Sequence, residues 1–303
     1  MARQAARTSA NNDDTVKGNG VTVNAHAKIN LILRVLDREP TGYHQIETLF
    51  QRIALADAVT VTPTEGTSAL NVKWAGVEKA NLGAPEENLA WRAAAAFREA
   101  AAWPDAWHID LTKRVPAGSG LGGGSSDAAA VLRALNQVAP TPLSNDALQT
   151  IAAALGSDVP FFVSDVSLAI GRGRGERLRT LAPLPVATVA LVVPDFAIAT
   201  VDAYAALAET RSGMRRPAAS IRNGDDFSQW ASVAPRQTND FENTVFRRHP
   251  QLAAARAALE KAGAVMARLS GSGSTVFGIW AAGGAKPKID LPKGWKLLMT
   301  ETA

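Results

Sequence analysis

The run Pro116-Ala117-Gly118-Ser119-Gly120-Leu121-Gly122-Gly123-Gly124-Ser125-Ser126-Asp127 puts five glycines among the ten residues 117–126. Glycine backbone reaches positive φ and lets successive N–H groups converge on an anion. A helix starting directly behind such a loop adds the positive end of its dipole. Ser125 or Ser126 is suited to cap that helix, and either could also reach a phosphate or a metal. The chemistry implied is phosphate binding. A flexible linker is the plain alternative, but a linker would not lie between a patterned strand at 107–115 and a patterned helix at 127–138. No lysine follows the glycines as a P-loop requires. About 20 residues on, where a dinucleotide fold wants an acid, residues 140–144 read Pro-Thr-Pro-Leu-Ser.

Other residues of chemical interest are less distinctive by themselves. Asp158 follows a helix stop and precedes Val-Pro-Phe-Phe. On pattern alone it reads as a helix-end or turn aspartate, with an acceptor for an attacking hydroxyl as the alternative. Lys28 lies in an apolar strand, where alternation sets Lys28 and Asn30 on one side and Ile29 and Leu31 on the other. On pattern alone it is an outward-facing lysine. Tyr43 and His44 follow a glycine turn and alone suggest ordinary loop packing. Gly271-Ser272-Gly273 precedes a strand and reads as a β-turn.

The elements that must position these groups alternate between strand and helix, so the class is mixed α and β. Strand is expected at 21–35, within two short apolar segments over 49–61, and at 107–115, 186–193, 265–269 and 275–280. Helices are expected at 89–102, 127–138 and 147–155, from about 200, and at 252–262. The basic run 171–175 reads as a hinge or hairpin turn, and a domain boundary is placed beside it. Residues 211–236 are polar and poorly patterned. Residues 1–20 lack the apolar segment of a secretory signal and read as a disordered tail, with a targeting peptide as the alternative.

Composition sets outer limits. Of 303 residues, 47% are hydrophobic and 20% charged, enough for a substantial core. There is no cysteine, which excludes disulfides, thiolate metal sites and cysteine nucleophiles. Lys and Arg number 32 against 28 Asp and Glu, a net charge of +4. That surplus suits a small anionic ligand, and its arginines form no aromatic-interleaved stripe, so nucleic acid is not expected. No apolar run approaches the ~18 residues of a membrane helix. The chain reads as cytoplasmic.

The glycine loop, Ala27-Lys28-Ile29-Asn30-Leu31 and Leu269-Ser270-Gly271-Ser272-Gly273-Ser274-Thr275 together resemble, in order, the three motifs of the GHMP kinases. With Gly42-Tyr43-His44 and the segment from Gly156 to Phe162, the chain is similar to the branch acting on the 2-hydroxyl of a cytidine-diphosphate-linked methylerythritol in the non-mevalonate isoprenoid route. The resemblance spans about 21–280. It implies a two-domain α+β fold, with a ribosomal-S5-like domain at 21–172 and a ferredoxin-like one at 173–303, a sheet with helices on one face.

The resemblance also implies roles. Lys28 and Asp158 form the catalytic pair at the reacting hydroxyl, where a nearby ammonium favours an ionised carboxylate. Residues 116–126 cradle the phosphates of ATP, and Asn88, Leu89 and Lys113 contact adenine. Asn30, Thr200, Gly271, Ser272 and Gly273 bind the acceptor. Tyr43 stacks on its base, His44 reads the base edge, and Tyr204, where phenylalanine is expected, is the second stacking face. Mg²⁺ is expected between the β and γ phosphates. Its protein ligand is not placed: Ser125, Ser126 and Asp127 are the candidates, and Asp127 reads equally as an early-helix acid. Asp240 is near enough to the substrate region to be noted. The rivals are a GHMP kinase for homoserine or a sugar, and a non-catalytic nucleotide-binding regulator.

Overall fold

The computed structural model describes residues 15–17, 20–39, 42–211, 220–281 and 289–303. Most of the expected tail (1–14, 18 and 19) and part of the polar stretch (212–219) lie outside the described residues. The architecture is α+β. The first sheet is built on two long antiparallel strands, because β-branched and apolar residues alternate with polar ones through much of Val21–Val35 and Ile46–Val61. These are β2 (Gly20–Arg38) and β3 (His44–Thr64), preceded by the short β1 (Thr15–Lys17), which pairs antiparallel with β2. Ordered structure therefore begins inside the segment expected to be a tail. The two apolar segments expected over 49–61 are parts of one strand.

On this sheet lie β4 (Ala69–Trp74), α1 (Leu89–Ala101), β5 (Ala106–Lys113), α2 (Gly123–Val138), α3 (Asn145–Leu155) and α4 (Val159–Val163). β5 pairs antiparallel with β3 and parallel with β4. Val21, Val23 and Ala25 of β2 pack with Val59 and Val61 of β3, Ile109 and Leu111 of β5, and the alanine-rich faces of α1 and α2. Those alanines let helix backbone approach the sheet closely, so this layer is filled by Phe97, Trp107 and Phe161.

β6 (Leu168–Gly173) and β7 (Arg177–Thr180) form a hairpin that joins the first sheet through β3. The 171–175 run is the end and turn of that hairpin. A boundary at 172 therefore cuts through paired strands, and the first sheet keeps the chain as far as Thr180. The reason is local: Gly173 at φ 72 and Gly175 at φ 120 make the turn, and Gly171 packs flat against Phe50.

The second sheet has the order β10–β11–β8–β12, all antiparallel. It begins with β8 (Ala187–Val193) and is followed by α5 (Thr200–Thr210), α6 (Trp230–Val233), β9 (Thr238–Asn239), α7 (Glu242–Arg248) and α8 (Pro250–Lys261). The chain ends with β10 (Met266–Leu269), β11 (Val276–Ala281) and β12 (Lys296–Glu301). Alternation in β8 decides the layering. Ala190 and Val192 face α5, α7 and α8, as expected of a sheet with helices on one face. Val189 and Leu191 face Ile29 and Leu31 of β2, so the other face closes on the first sheet. β9 crosses back and pairs parallel with β2 at Ile32 and Leu33. Among the described residues no helix is long and apolar enough to cross a membrane.

Candidate active site

A cleft of about 1250 Å³ runs between the two sheets. Its walls are the glycine loop, the middle of β2, the start of α5 and the turn between β10 and β11. Lys28 sits at its floor. The residue is 3% exposed, so the outward-facing lysine that pattern alone suggests is not what forms. Its ammonium donates to Asn30 Oδ1 at 2.8 Å and to Gly120 O at 2.9 Å, and lies 3.4 Å from Asp158 Oδ2. Its backbone N–H is held by Leu121 O at 3.0 Å. Burying an ammonium is costly unless such partners surround it.

Asp158 is the residue before α4, yet its side chain caps no N–H there. Asp158 lies in the turn before that helix as expected, and with no cap to make its carboxylate is left facing Lys28 and the cleft. Asn30 Oδ1 accepts from Lys28 and also from Gly271 N at 3.0 Å, while its Nδ2 donates to Thr48 Oγ1 at 2.8 Å. It thus ties the lysine to the C-terminal glycine turn.

The two glycine segments touch. Ser270 Oγ donates to Gly120 O at 3.0 Å, and Thr275 N to Ser119 O at 3.1 Å. A Cβ on Gly120 would stand 2.1 Å from Ser270 O, at a φ of +80. Gly120→Ala is accordingly expected to cost at least ~2 kcal/mol of stability and to weaken nucleotide binding, read by thermal melting and by titration with ATP. Unchanged melting and affinity would contradict the contact.

α2 begins at Gly123, four residues earlier than pattern suggests, because glycine and serine in a first helical turn read as loop. Gly122, at φ 75, is its N-cap and makes no side-chain cap. Neither serine is the cap. Ser126 Oγ donates to His26 O at 2.6 Å and pins α2 to β2. Ser125 remains on the cleft wall with Pro116, Ala117, Gly118, Ser119, Gly120, Gly122, Gly123 and Gly124. Leu121 and Ser126 do not line the cleft; Leu121 belongs to the core between the sheets.

Lys113 departs further from expectation. Its ammonium is buried and paired with Asp57 and with Asp127 Oδ2, the latter at 2.7 Å. Burial would lower it, but Asp127 and Asp57 outweigh burial and raise it above the usual lysine range. Asp57 Oδ1 also accepts from Val115 N at 2.8 Å. The side chain expected at adenine is thus committed to two carboxylates beneath the start of α2. Nothing in the spacing of residues 57, 113 and 127 reveals that cluster.

Burial pushes the Asp127 carboxyl up to about 7, and its Oδ1 has no partner. A carboxyl raised on folding stabilises fully below its unfolded value and loses that contribution as pH rises to about 7. Relative to Asp127→Asn, the native chain should therefore lose melting temperature between about pH 4 and 7. Parallel pH profiles for the two proteins would contradict this.

On the far side of the cleft His44 stacks on Tyr204, ring centroids 4.7 Å apart. Tyr204 meets Phe241 edge-on at 4.9 Å. One face of the ring expected to stack on a base is therefore taken by His44. Tyr43 is exposed, and Arg174 lies over its ring at 4.0 Å. Burial, then Arg38 and Arg211, lower His44, keeping a neutral imidazole that can both donate and accept. Thr200 Oγ1 meets Ser272 Oγ at 3.2 Å, and Gly271, Ser272 and Gly273 complete that wall. Asn88 and Leu89 line the opposite end beside Leu82. Asn88 Oδ1 caps α1 through Ala90 N.

Asp240 points away. It is held by Arg34, Arg211 and Val35 N, outside the cleft wall. Its neighbour Asn239 was not singled out in the sequence, and donates to Leu269 O at 2.7 Å and Gly271 O at 2.8 Å. The dense polar run Asn239-Asp240-Phe241-Glu242 was the one available signal. Among the described residues no group of three His, Asp or Glu converges as a metal site.

Known families account for this arrangement. Residues 88–165 match the GHMP kinases N terminal domain, and residues 214–284 the GHMP kinases C terminal domain. A 4-diphosphocytidyl-2-C-methyl-D-erythritol kinase of Moorella thermoacetica is 40% identical over 272 residues, covering 87% of this chain and 91% of that protein. The chain belongs to the GHMP kinases. A second relative of the same name, from Pelotomaculum thermopropionicum, is 39% identical over 86% of this GHMP kinase and 89% of its own length. The crystal structure of a 4-(cytidine 5'-diphospho)-2C-methyl-D-erythritol kinase superposes with a TM-score of 0.71 at 32% identity, covering 93% of this chain and 98% of that one. As a GHMP kinase the chain is an ATP-dependent phosphotransferase.

Proposed function

We propose that the chain transfers the γ-phosphate of ATP to the 2-hydroxyl of 4-diphosphocytidyl-2-C-methyl-D-erythritol, in the cytoplasm, with no nucleic-acid partner. The observation that carries this is the Lys28–Asp158 pair at the floor of one cleft, with the glycine loop to one side and the Tyr43–His44 wall to the other. The like-named relatives support the same acceptor.

Asp158 accepts the hydrogen bond of the attacking hydroxyl and aims its oxygen. Lys28 fixes the carboxylate and stands where charge builds on the transferred group. Asn30 holds Lys28 against the Gly271 turn. The N–H groups of 118–125 cradle the phosphates, and adenine lies against Leu82, Asn88 and Leu89, with Lys113 lining the same cleft. Tyr43 offers its free face to the cytosine, His44 reads the base edge, and Tyr204 supports His44.

Mg²⁺ fits the oxygen donors present. The Ser125 hydroxyl on the wall and the unpartnered Oδ1 of Asp127 behind it would hold an ion that keeps most of its waters. Bound there, it would neutralise charge between the β and γ phosphates.

The reading is tested by ADP release with ATP, Mg²⁺ and each of four acceptors: the cytidylyl substrate, homoserine, mevalonate and galactose. Turnover on the first alone is expected. Turnover on a small acceptor alone would retain a kinase and remove the base-reading roles of Tyr43 and His44. Bound ATP without any turnover would favour the regulator.

A further inference from the structure

The polar run Asn239-Asp240-Phe241-Glu242 bridges the two sheets, and the transfer step described so far uses none of it. Thr238 and Asn239 pair with Ile32 and Leu33 of β2, the strand that carries Lys28 and Asn30. Asp240 N donates to Leu33 O at 3.0 Å and fixes the run to that strand. On the other side Glu242 Oε1 accepts from Leu269 N at 2.9 Å, at the end of β10. Asn239 extends this grip into the C-terminal glycine turn. Its Nδ2 donates to Leu269 O at 2.7 Å and to Gly271 O at 2.8 Å. Its Oδ1 accepts from Phe241 N at 2.9 Å, which settles which end of the amide is the nitrogen. The residue is buried, and both N–H groups of its amide are matched to carbonyls.

From Gly271 the hydrogen bonds continue without a gap to the reacting groups. Gly271 N donates to Asn30 Oδ1 at 3.0 Å, and Lys28 Nζ donates to the same oxygen at 2.8 Å. Lys28 Nζ lies 3.4 Å from Asp158 Oδ2. Glycine backbone has little conformational preference of its own, so the place of this turn beside Lys28 depends on what holds it. Ser270 and Thr275 tie its two ends to the phosphate loop. Among the described residues, the Gly271 carbonyl is held by Asn239.

We propose that Asn239 is a positioning residue for phosphoryl transfer. It sets the Gly271 turn, through the turn Asn30, and through Asn30 the Lys28 ammonium opposite Asp158. The inference rests on the function proposed above, because it needs Lys28 and Asp158 to be the pair at the reacting hydroxyl.

Asn239→Ala removes both donors. The expected result is a fall in kcat on the cytidylyl substrate of about ten- to hundredfold, with KM for ATP within about twofold, since the nucleotide meets the phosphate loop and not this turn. Asp240→Asn is the control for general loosening of the run. It removes the charge between Arg34 and Arg211, outside the cleft wall, and should melt lower with native kcat. In an Asn30→Ala chain the relay is already cut, so adding Asn239→Ala there should lower kcat by less than about twofold. A crystal structure of Asn239→Ala should show Gly271 N withdrawn beyond about 3.5 Å from Asn30 Oδ1. Native kcat in Asn239→Ala would overturn the proposal. So would losses that multiply in the double variant, or an equal fall of kcat in Asp240→Asn. The crystal structure does not depend on the acceptor. An intact Gly271–Asn30 bond would overturn the inference whatever the substrate; a broken bond in a chain whose native form turns over a different acceptor would support the relay and count against the proposed function alone.

Discussion

Asp158→Asn lowers kcat by about 10²–10⁴-fold and leaves the KM for ATP nearly unchanged. The amide keeps the volume of the carboxylate and loses its charge. Lys28 then retains only the neutral acceptors Asn30 Oδ1 and Gly120 O, and the attacking hydroxyl loses the acceptor that aims it. Phosphoryl transfer passes through a loose transition state in which positioning outweighs covalent help, so much of the loss is one of alignment. The nucleotide is unaffected because its phosphates meet backbone N–H groups of the glycine loop, not Asp158. Steady-state ADP release with each substrate varied in turn separates the two effects. A variant keeping more than about a tenth of native turnover would mean that Asp158 is an ordinary turn residue.

Lys113→Met destabilises the chain by about 3–5 kcal/mol, with no direct contact to any reacting group. The methylene stem is replaced almost isosterically, and the cation between two buried carboxylates is gone. Asp57 is fully buried and Asp127 nearly so, so neither charge can recover its loss from water. At roughly 2–4 °C per kcal/mol for a chain of this size, the melting temperature should fall by about 10 °C. Two controls distinguish this from a packing defect. Adding Asp127→Asn to Lys113→Met should recover part of the loss, because one uncompensated charge disappears. The gap between native and Lys113→Met should also narrow as pH falls, because the freed carboxyls can then be neutralised by protonation. A gap independent of pH, with no recovery in the double variant, would contradict the electrostatic origin.

The contrast between these two residues shows what the sequence could carry. Lys28, Asn30 and Asp158 were expected together only through the family resemblance of the short motifs that hold them; strand alternation by itself puts Lys28 and Asn30 on one side and then reads Lys28 as outward-facing. The elements around them were legible from local pattern: apolar runs with the prolines at 185 and 194, the acids before Leu89 and the stop at Gly156 placed β8, α1 and α3 to within two residues. The ion pairs of Lys113 were not legible because its partners, residues 57 and 127, meet it only through the pairing of β3 with β5 and the docking of α2 on the sheet. Asn239 escaped for a similar reason: its hydrogen bonds to Leu269 and Gly271 join segments thirty residues apart. The start of α2 was placed late because helix propensity penalises the glycines there, whereas the fold needs them for close approach to Lys113, Val115 and Phe162. The 171–175 run read as a hinge or a hairpin turn because the two have the same glycine-rich composition, and it forms a hairpin turn.

The central claim is that this cleft puts a phosphate on a polyol hydroxyl of a cytidine-diphosphate-linked acceptor. Phosphorus NMR of the native chain with ATP, Mg²⁺ and 4-diphosphocytidyl-2-C-methyl-D-erythritol tests it most directly. The account predicts one new phosphomonoester resonance, coupled to the carbon skeleton at the 2-hydroxyl, growing with ADP while the acceptor's diphosphate signals stay intact. Release of inorganic phosphate without that resonance, or breakdown of the acceptor's diphosphate, would contradict it.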